Sequence, residues 1–245
     1  MTPEEKALFE QATRRYRAAG RYALHFARGK LKHDPVFFAM LRNAMIPDDA
    51  HILDLGCGQG ILLSTFIAAR ESYDSGVWPV GWPAPPTRLQ LRGIDLLPRD
   101  IRRARRALSA LVTVEEGDIR DALFPRSDVV VILDVLHYVA KSEQEDILRR
   151  VAECLGNSGR LLLRVADAEA GARSVFTYLG DRAGTLLRGE LWPRHVHRPI
   201  SEWMKILGHL GFSVSTQPMS QGTPFSNVLL VADRSWPRPA KMVDR

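Results

Sequence analysis

From position 50 onward, short apolar runs alternate with stretches of helical spacing, and the alternation predicts the elements one by one. Segments 52–55, 89–94, 112–116, 128–134 and 160–165 have the length and β-branched content of strands. The fourth is apolar almost throughout, as a strand buried on both faces must be. Helical periodicity fills the intervals at 61–69, 98–109, 142–155 and 201–210. Pro98 stands at a first helical position, Ser142 with Glu145 reads as a capping box, and Ser201 reads as a cap. Strands separated by helices predict an open α/β sheet. Segments 211–216 and 226–232 then follow each other with only a polar turn between them, a closing antiparallel hairpin. The first 48 residues read as a helical cap: Thr2 caps, Pro3 opens, Gly20 ends or bends the first helix, Arg28-Gly-Lys-Leu-Lys32 reads as a basic turn, and Pro35 opens another short helix. The expected organisation is a helical cap over 1–48, a sheet domain over 49–233 and a loose tail over 234–245.

Two stretches break the pattern. Segment 71–88 holds so many prolines, with Trp78 and Trp82, that it predicts an inserted loop whose tryptophans either cover an apolar patch or meet a partner. Segment 166–199 loses its periodicity while keeping Phe176, Tyr178, Trp192, His195 and His197, a second insertion.

Candidate chemistry gathers where the first strand ends. Asp54-Leu-Gly56-Cys57-Gly58-Gln-Gly60 joins a buried strand to a helix, and glycines there free the backbone for positive φ and remove side chains that would hold a ligand away. In an open α/β sheet that is where ligands bind. The spacing is not that of the dinucleotide fingerprint, whose third glycine would fall at Ile61. Three further acids follow in or just after later strands: Asp95 with Leu96, Asp118 with Ile119 in Gly117-Asp-Ile, and Asp134 with Val135 in Asp134-Val-Leu-His137-Tyr138.

The D-x-G-x-G-x-G loop, the acid at Asp95, the Gly-Asp-Ile of the third strand and Asp134-Val-Leu-His-Tyr together resemble motifs of the class I S-adenosylmethionine-dependent methyltransferases, over nearly the whole chain after position 50. The resemblance implies a Rossmann-like, seven-stranded, mostly parallel sheet with an antiparallel C-terminal hairpin and helices on both faces. It implies S-adenosyl-L-methionine as cofactor and S-adenosyl-L-homocysteine as product. Asp54, Gly56, Cys57, Gly58 and Gly60 would pass under the cofactor's amino acid and ribose. Asp95 would accept from the ribose hydroxyls; Asp118 and Ile119 would meet adenine; Leu96, Asp134 and Val135 would also line the cofactor. Asp118 has another reading, a turn residue capping its own backbone. Arg28 and Lys30, in the cap, are candidates for the cofactor's carboxylate. His137 is either a general base or a residue fixing its loop, and Tyr138, His195 and His197 are secondary candidates. Methyl transfer needs no metal, and neither the cysteines nor the histidines suggest a metal site.

Composition narrows the class. The 245 residues, 45% apolar and 25% charged, suit one soluble catalytic domain. No leader is expected at the start, and the longest apolar run, 129–139, is interrupted by Asp134 and His137 and too short for a bilayer. Cys57 and Cys154 read as free thiols in a reducing cytoplasm. A net charge of +6 and pI near 9.6 come partly from two arginine groups, Arg14, Arg15, Arg17 and Arg21, and Arg99, Arg102, Arg103, Arg105 and Arg106. These are solvated helix faces, or a surface for an acidic carrier protein, or one for RNA. The Asn/Asp-Pro-Pro-Tyr/Phe and Pro-Cys signatures of base methylation are absent from the chain. The expected function is methylation of a small aromatic or acyl-type acceptor, free or carrier-bound, in biosynthesis. RNA methylation comes second, a non-catalytic cofactor- or partner-binding domain third, and a dehydrogenase last.

Overall fold

The computed structural model describes residues 1–167, 196–221 and 226–234. Seven strands form one sheet in the order β3-β2-β1-β4-β5-β7-β6. They are β1 His51–Leu55, β2 Gln90–Asp95, β3 Thr113–Glu116, β4 Val129–Leu133, β5 Gly159–Ala166, β6 Ser213–Pro218 and β7 Asn227–Arg234. The first five run parallel, and β7 lies antiparallel between β5 and β6. The chain crosses from β1 outward to β2 and β3, then returns to place β4 on the other side of β1. That reversal leaves a crevice at the carboxyl ends of β1 and β4.

Among the described residues seven α-helices cover the two faces: α1 Pro3–Arg14, α2 Arg21–His33, α3 Val36–Arg42, α4 Ile61–Asp74, α5 Pro98–Leu108, α6 Lys141–Leu155 and α7 Ile200–His209. Period-two alternation sorts β4 between them. Val129 and Val131 face a core shared with the cap helices, α4 and α5, while Val130 and Ile132 face one shared with α6 and α7. The N-terminal helices are therefore built into the core on one face. Tyr16 in the 3₁₀ turn Arg15–Arg17 is fully buried and donates to the Gln59 carbonyl at 2.9 Å, and Ser64 of α4 donates to the Ala12 carbonyl at 2.7 Å. No helix among the described residues is long and apolar enough to cross a membrane.

The basic stretch 28–32, expected as a turn, lies inside α2, whose Ala23, Ala27 and Leu31 recur at helical spacing on its buried face. Several boundaries move for local reasons. Thr2 caps α1 as expected, its hydroxyl accepting from the Glu5 N–H, but the α-helix ends at Arg14 and tightens into the 3₁₀ turn before Gly20. Helix α4 continues to Asp74, four residues into the stretch expected to be loop, because the first proline comes only at Pro79. The expected cap at Ser142 is a correction: α6 starts at Lys141, Ser142 lies in its first turn, and Glu143 accepts from the Ala140 N–H at 2.8 Å. Glu145 meets Arg198 at 2.7 Å instead. Likewise α7 begins at Ile200 behind Pro199, with Ser201 inside it. In the proline-rich loop, Trp82 packs edge-on against Phe38 and Trp78 and under the Arg42 guanidinium at 4.8 Å. Of the two roles open to these tryptophans, they take that of covering the apolar side of the cap.

Candidate active site

Each strand that ends at the crevice delivers its next residues to one cavity of about 510 Å³, a size ordinary for a cofactor pocket. After β1 come Gly56, Cys57 and Gly58, after β2 Leu96 and Leu97, after β3 Asp118 and Ile119, after β4 Asp134 and Val135, and Asp54 and Asp95 complete the carboxyls. Lys30 and Phe26 of α2, with Phe37 of α3, close it from the cap, and Tyr138 with Val139 from the 3₁₀ turn Leu136–Tyr138 and its end.

The glycine loop is shaped by what it touches on either side. Gly56, at φ 78°, lies so close to β4 that a Cβ there would fall 2.2 Å from Val135 Cγ2. Gly58, at φ 55°, has open space where its Cβ would be. One glycine admits the neighbouring strand end and the other leaves backbone bare. Asp95 fixes the same loop: its Oδ2 accepts from the Gly58 N–H and its Oδ1 from the Leu97 N–H, both at 2.8 Å. Each oxygen keeps further acceptor capacity for hydroxyls of a ligand. Bare backbone, an oriented carboxylate and a cavity of this size fit a nucleoside cofactor. Asp54 has little solvent access, and burial, with the Asp95 charge added, pushes its carboxyl up to about 8. Burial likewise pushes the Cys57 thiol well up, with Asp54 acting in the same direction.

At the far wall stands an ionic group that the sequence did not announce. Arg164, fully buried near the end of β5, donates from Nε to Asp134 at 2.9 Å and from a terminal nitrogen to Asp34, between α2 and α3, at 2.7 Å. Lys30 approaches Asp34 at 2.9 Å and Asp134 at 3.6 Å. Two cations thus meet two carboxylates. Burial pushes both acids up, but Arg164 and Lys30 outweigh it and hold Asp34 and Asp134 below the usual carboxylate range. Asp134 occupies φ 59°, a costly conformation for a residue with a Cβ, and its pairing with Arg164 helps hold it there. The visible signal for Arg164 was a charge, one of two with Arg160, inside a strand whose every residue is buried.

Other candidates separate. Lys30 lines the cavity with its ammonium shared between the two acids, whereas Arg28 points away, paired with Glu10 at 2.6 and 2.8 Å over the Phe9 ring, and is not part of the wall. Asp118 lines the cavity but also binds Arg120, accepting from its backbone N–H at 2.9 Å and from its guanidinium, which holds the carboxyl low. The turn-capping geometry considered for it is therefore present. Tyr138 faces the cavity, while buried His137 lies outside its wall, its ring 4.0 Å from Tyr138 and 5.5 Å from His197, whose imidazole burial pushes down. His195, Phe176, Tyr178 and Trp192 lie outside the described residues.

A buried amide organises this side. Gln144 of α6 donates to the carbonyls of Leu136, Val139 and Val196 at 2.9, 3.2 and 3.2 Å and accepts from Arg198 at 2.7 Å. The Val196 N–H reaches the His137 carbonyl at 2.8 Å, and on the other side the Asp167 N–H reaches the Ser226 carbonyl at 3.0 Å. Asp167 and Val196, which flank residues 168–195, are thus each held by a backbone hydrogen bond to the described frame.

The sheet order and the site at its crevice have the architecture of the class I S-adenosylmethionine-dependent methyltransferases. The chain belongs to the methyltransferase-domain family, whose model matches residues 23–217. Among solved structures it is similar to the magnesium protoporphyrin IX methyltransferase of Synechocystis PCC 6803 with bound SAH (TM-score 0.58, 21% identity, 94% of this chain and 99% of that one). It is similar also to the pyocyanin biosynthetic protein PhzM (TM-score 0.61, 18% identity, 86% and 57%). A third likeness is to the complex of the Haloferax volcanii Trm112 activator with a putative methyltransferase (TM-score 0.62, 14% identity, 90% and 97%). At these identities the likeness is one of fold. A carboxy-S-adenosyl-L-methionine synthase of Chromohalobacter salexigens is 27% identical over 119 residues, which span 46% of this chain and 39% of that protein.

Proposed function

We propose that the protein methylates a small aromatic or acyl-type acceptor, free or borne on a carrier protein, in a biosynthetic pathway. The observation that carries this reading is that one cavity runs from the glycine loop and Asp95 to a wall of Phe26, Phe37, Tyr138 and Val139. Donor-type and acceptor-type surfaces share one space, and the acceptor end is aromatic and apolar. Two neighbours point the same way by their names, one acting on magnesium protoporphyrin IX and one serving pyocyanin biosynthesis.

When bound, S-adenosylmethionine supplies a methyl group already activated on a sulfonium, so the protein's part is to bind, orient and exclude water. Asp95 orients the glycine loop and offers acceptors to hydroxyls. Asp118 with Ile119, and Leu96, would border a flat base. The Asp134 turn and Tyr138 would close the acceptor side, and Tyr138, which lines the cavity with His137 packed behind it, is our candidate to meet an acceptor hydroxyl. Two buried free thiols agree with a cytoplasmic location.

RNA methylation is the second reading, favoured by the exposed arginines on α1, α2 and α5. Calorimetry with S-adenosylmethionine and S-adenosylhomocysteine, followed by transfer of labelled methyl to a panel of hydroxyaryl compounds, acyl thioesters and RNA, tests the order. Micromolar heat with both cofactor forms and label on an aromatic or acyl compound are expected. Silence with both forms overturns the reading, and label on RNA alone promotes the second.

A further inference from the structure

Two elements beside the cavity mouth carry cations that the fold leaves unused. Exposed Arg14, Arg17 and Arg21 follow one another through the end of α1, the 3₁₀ turn and the start of α2. Exposed Arg102 and Arg106 stand one turn apart on α5, which packs against that 3₁₀ turn. Their neighbours are engaged: Arg15 with Glu71, Arg28 with Glu10, and Arg103 with Asp100. Among the described residues no carboxylate pairs with Arg14, Arg17, Arg21, Arg102 or Arg106. Like charges so placed repel one another, so folding does not account for the group.

An exposed aromatic pair joins this surface to the cavity. Tyr22 is 59% exposed and stacks at 6.1 Å on Phe26, which is 37% exposed, and the Arg103 guanidinium lies 4.3 Å from the Tyr22 ring centre. Phe26 also belongs to the cavity wall. One turn of α2 therefore leads from the arginines to the acceptor end. Around the turn that follows β3 the charge has the opposite character. Beside Asp118 and Arg120 stand Glu116, Asp121 and Glu143, with Arg120 already divided between Asp118 and Glu143. A polynucleotide threading a base into the cavity would lay phosphates over both rims and meet these acids. A compact acidic protein needs only the arginine side.

We propose that the face formed by the 3₁₀ turn, the start of α2 and α5 docks an acidic carrier protein, whose flexible arm passes its acceptor along Tyr22 and Phe26 into the cavity. The proposal rests on the methyl-transfer reading above, and its partner is recognised by charge, a long-range and salt-sensitive attraction.

The test measures binding of the full chain to a phosphopantetheinylated acyl carrier protein, with a single-stranded RNA alongside, at low and high salt. Carrier binding with a micromolar Kd near ~50 mM salt, weakened at least about tenfold near ~300 mM, is expected from screening. The triple charge reversal R17E/R102E/R106E lowers carrier affinity by about thirtyfold or more, while S-adenosylhomocysteine affinity stays within about twofold. Unchanged carrier affinity in the variant, no carrier binding at low salt, or RNA binding that the variant abolishes in place of carrier binding overturns the proposal. Retained cofactor binding in those cases leaves methyl transfer standing, whereas wild-type protein that ignores both cofactor forms brings down the function itself.

Discussion

Asp54 poses a residue-scale problem: a carboxyl almost without solvent, at the edge of a cavity whose ligand is a cation. Burial and the Asp95 charge raise it to about 8, far above the ~3.9 of an unfolded chain. The folded, ligand-free protein therefore keeps a proton that the unfolded chain has released, so this residue's effect on stability grows less favourable as pH rises between those values. Scanning calorimetry on Asp54→Asn should show the variant gaining Tm relative to wild type as pH goes from about 5 to about 8. In the wild type, the preference for the sulfonium form over its demethylated product should grow across the same interval and stay flat in the variant. A Tm difference independent of pH contradicts this assignment. The positions of Asp54, Asp95, Asp118 and Asp134 were legible in the sequence because a charge at or beside the end of an apolar strand has to emerge at the sheet's edge. Arg28 and Lys30 were less so: they read as part of a basic turn, and neither turn nor helix says which neighbour a long side chain meets, so that Glu10 captures one while Asp34 shares the other.

At the scale of elements, the strand-loop-helix β1–α4 separates two duties that a motif writes in one line. Gly56 answers to packing, since its missing Cβ is occupied by Val135, and Gly58 answers to the cavity, since nothing fills its missing Cβ. Gly56→Ala should cost about 2–3 kcal/mol in urea unfolding, from overlap plus left-handed strain. Gly58→Ala should cost only about 1 kcal/mol, from φ alone, yet weaken S-adenosylhomocysteine binding tenfold or more by calorimetry, about 1.4 kcal/mol. Equal stability losses with equal affinities would refute the division. The alternation of strands and helices after position 50 followed from periodicity, whereas α2, whose stretch 28–32 reads as a basic turn, and the starts of α6 and α7 did not. A serine followed by a glutamate matches the cap pattern wherever it falls, and the true start is decided by where the preceding 3₁₀ turn releases the chain, at Ala140.

For the molecule as a whole, Arg164 is the joint between the cap and the sheet. It holds Asp34 of the cap connection and Asp134 of the β4 turn at once. Removing one partner from a buried ionic group leaves the others unmatched, so Arg164→Met should cost about 3–5 kcal/mol. Because Asp34 and Asp134 are depressed, their share of stability is present above the unfolded carboxylate range and lost as pH falls below it. The deficit of the variant in chemical unfolding should thus be large at neutral pH and shrink below pH ~4; a deficit equally large in acid would show lost packing alone. The amphipathic spacing of residues 1–48 revealed helices, but not that they share one core with α4 and α5, because the docking depends on distant pairs such as Tyr16 with Gln59. Gln144 and the two anchors that flank residues 168–195 carry a consequence for substitution. Asp167 and Val196 are bolted to the frame apart from the glycine loop. Substitutions between those two anchors therefore leave the hydrogen bonds that hold Asp167 and Val196, and with them the frame around the glycine loop, in place.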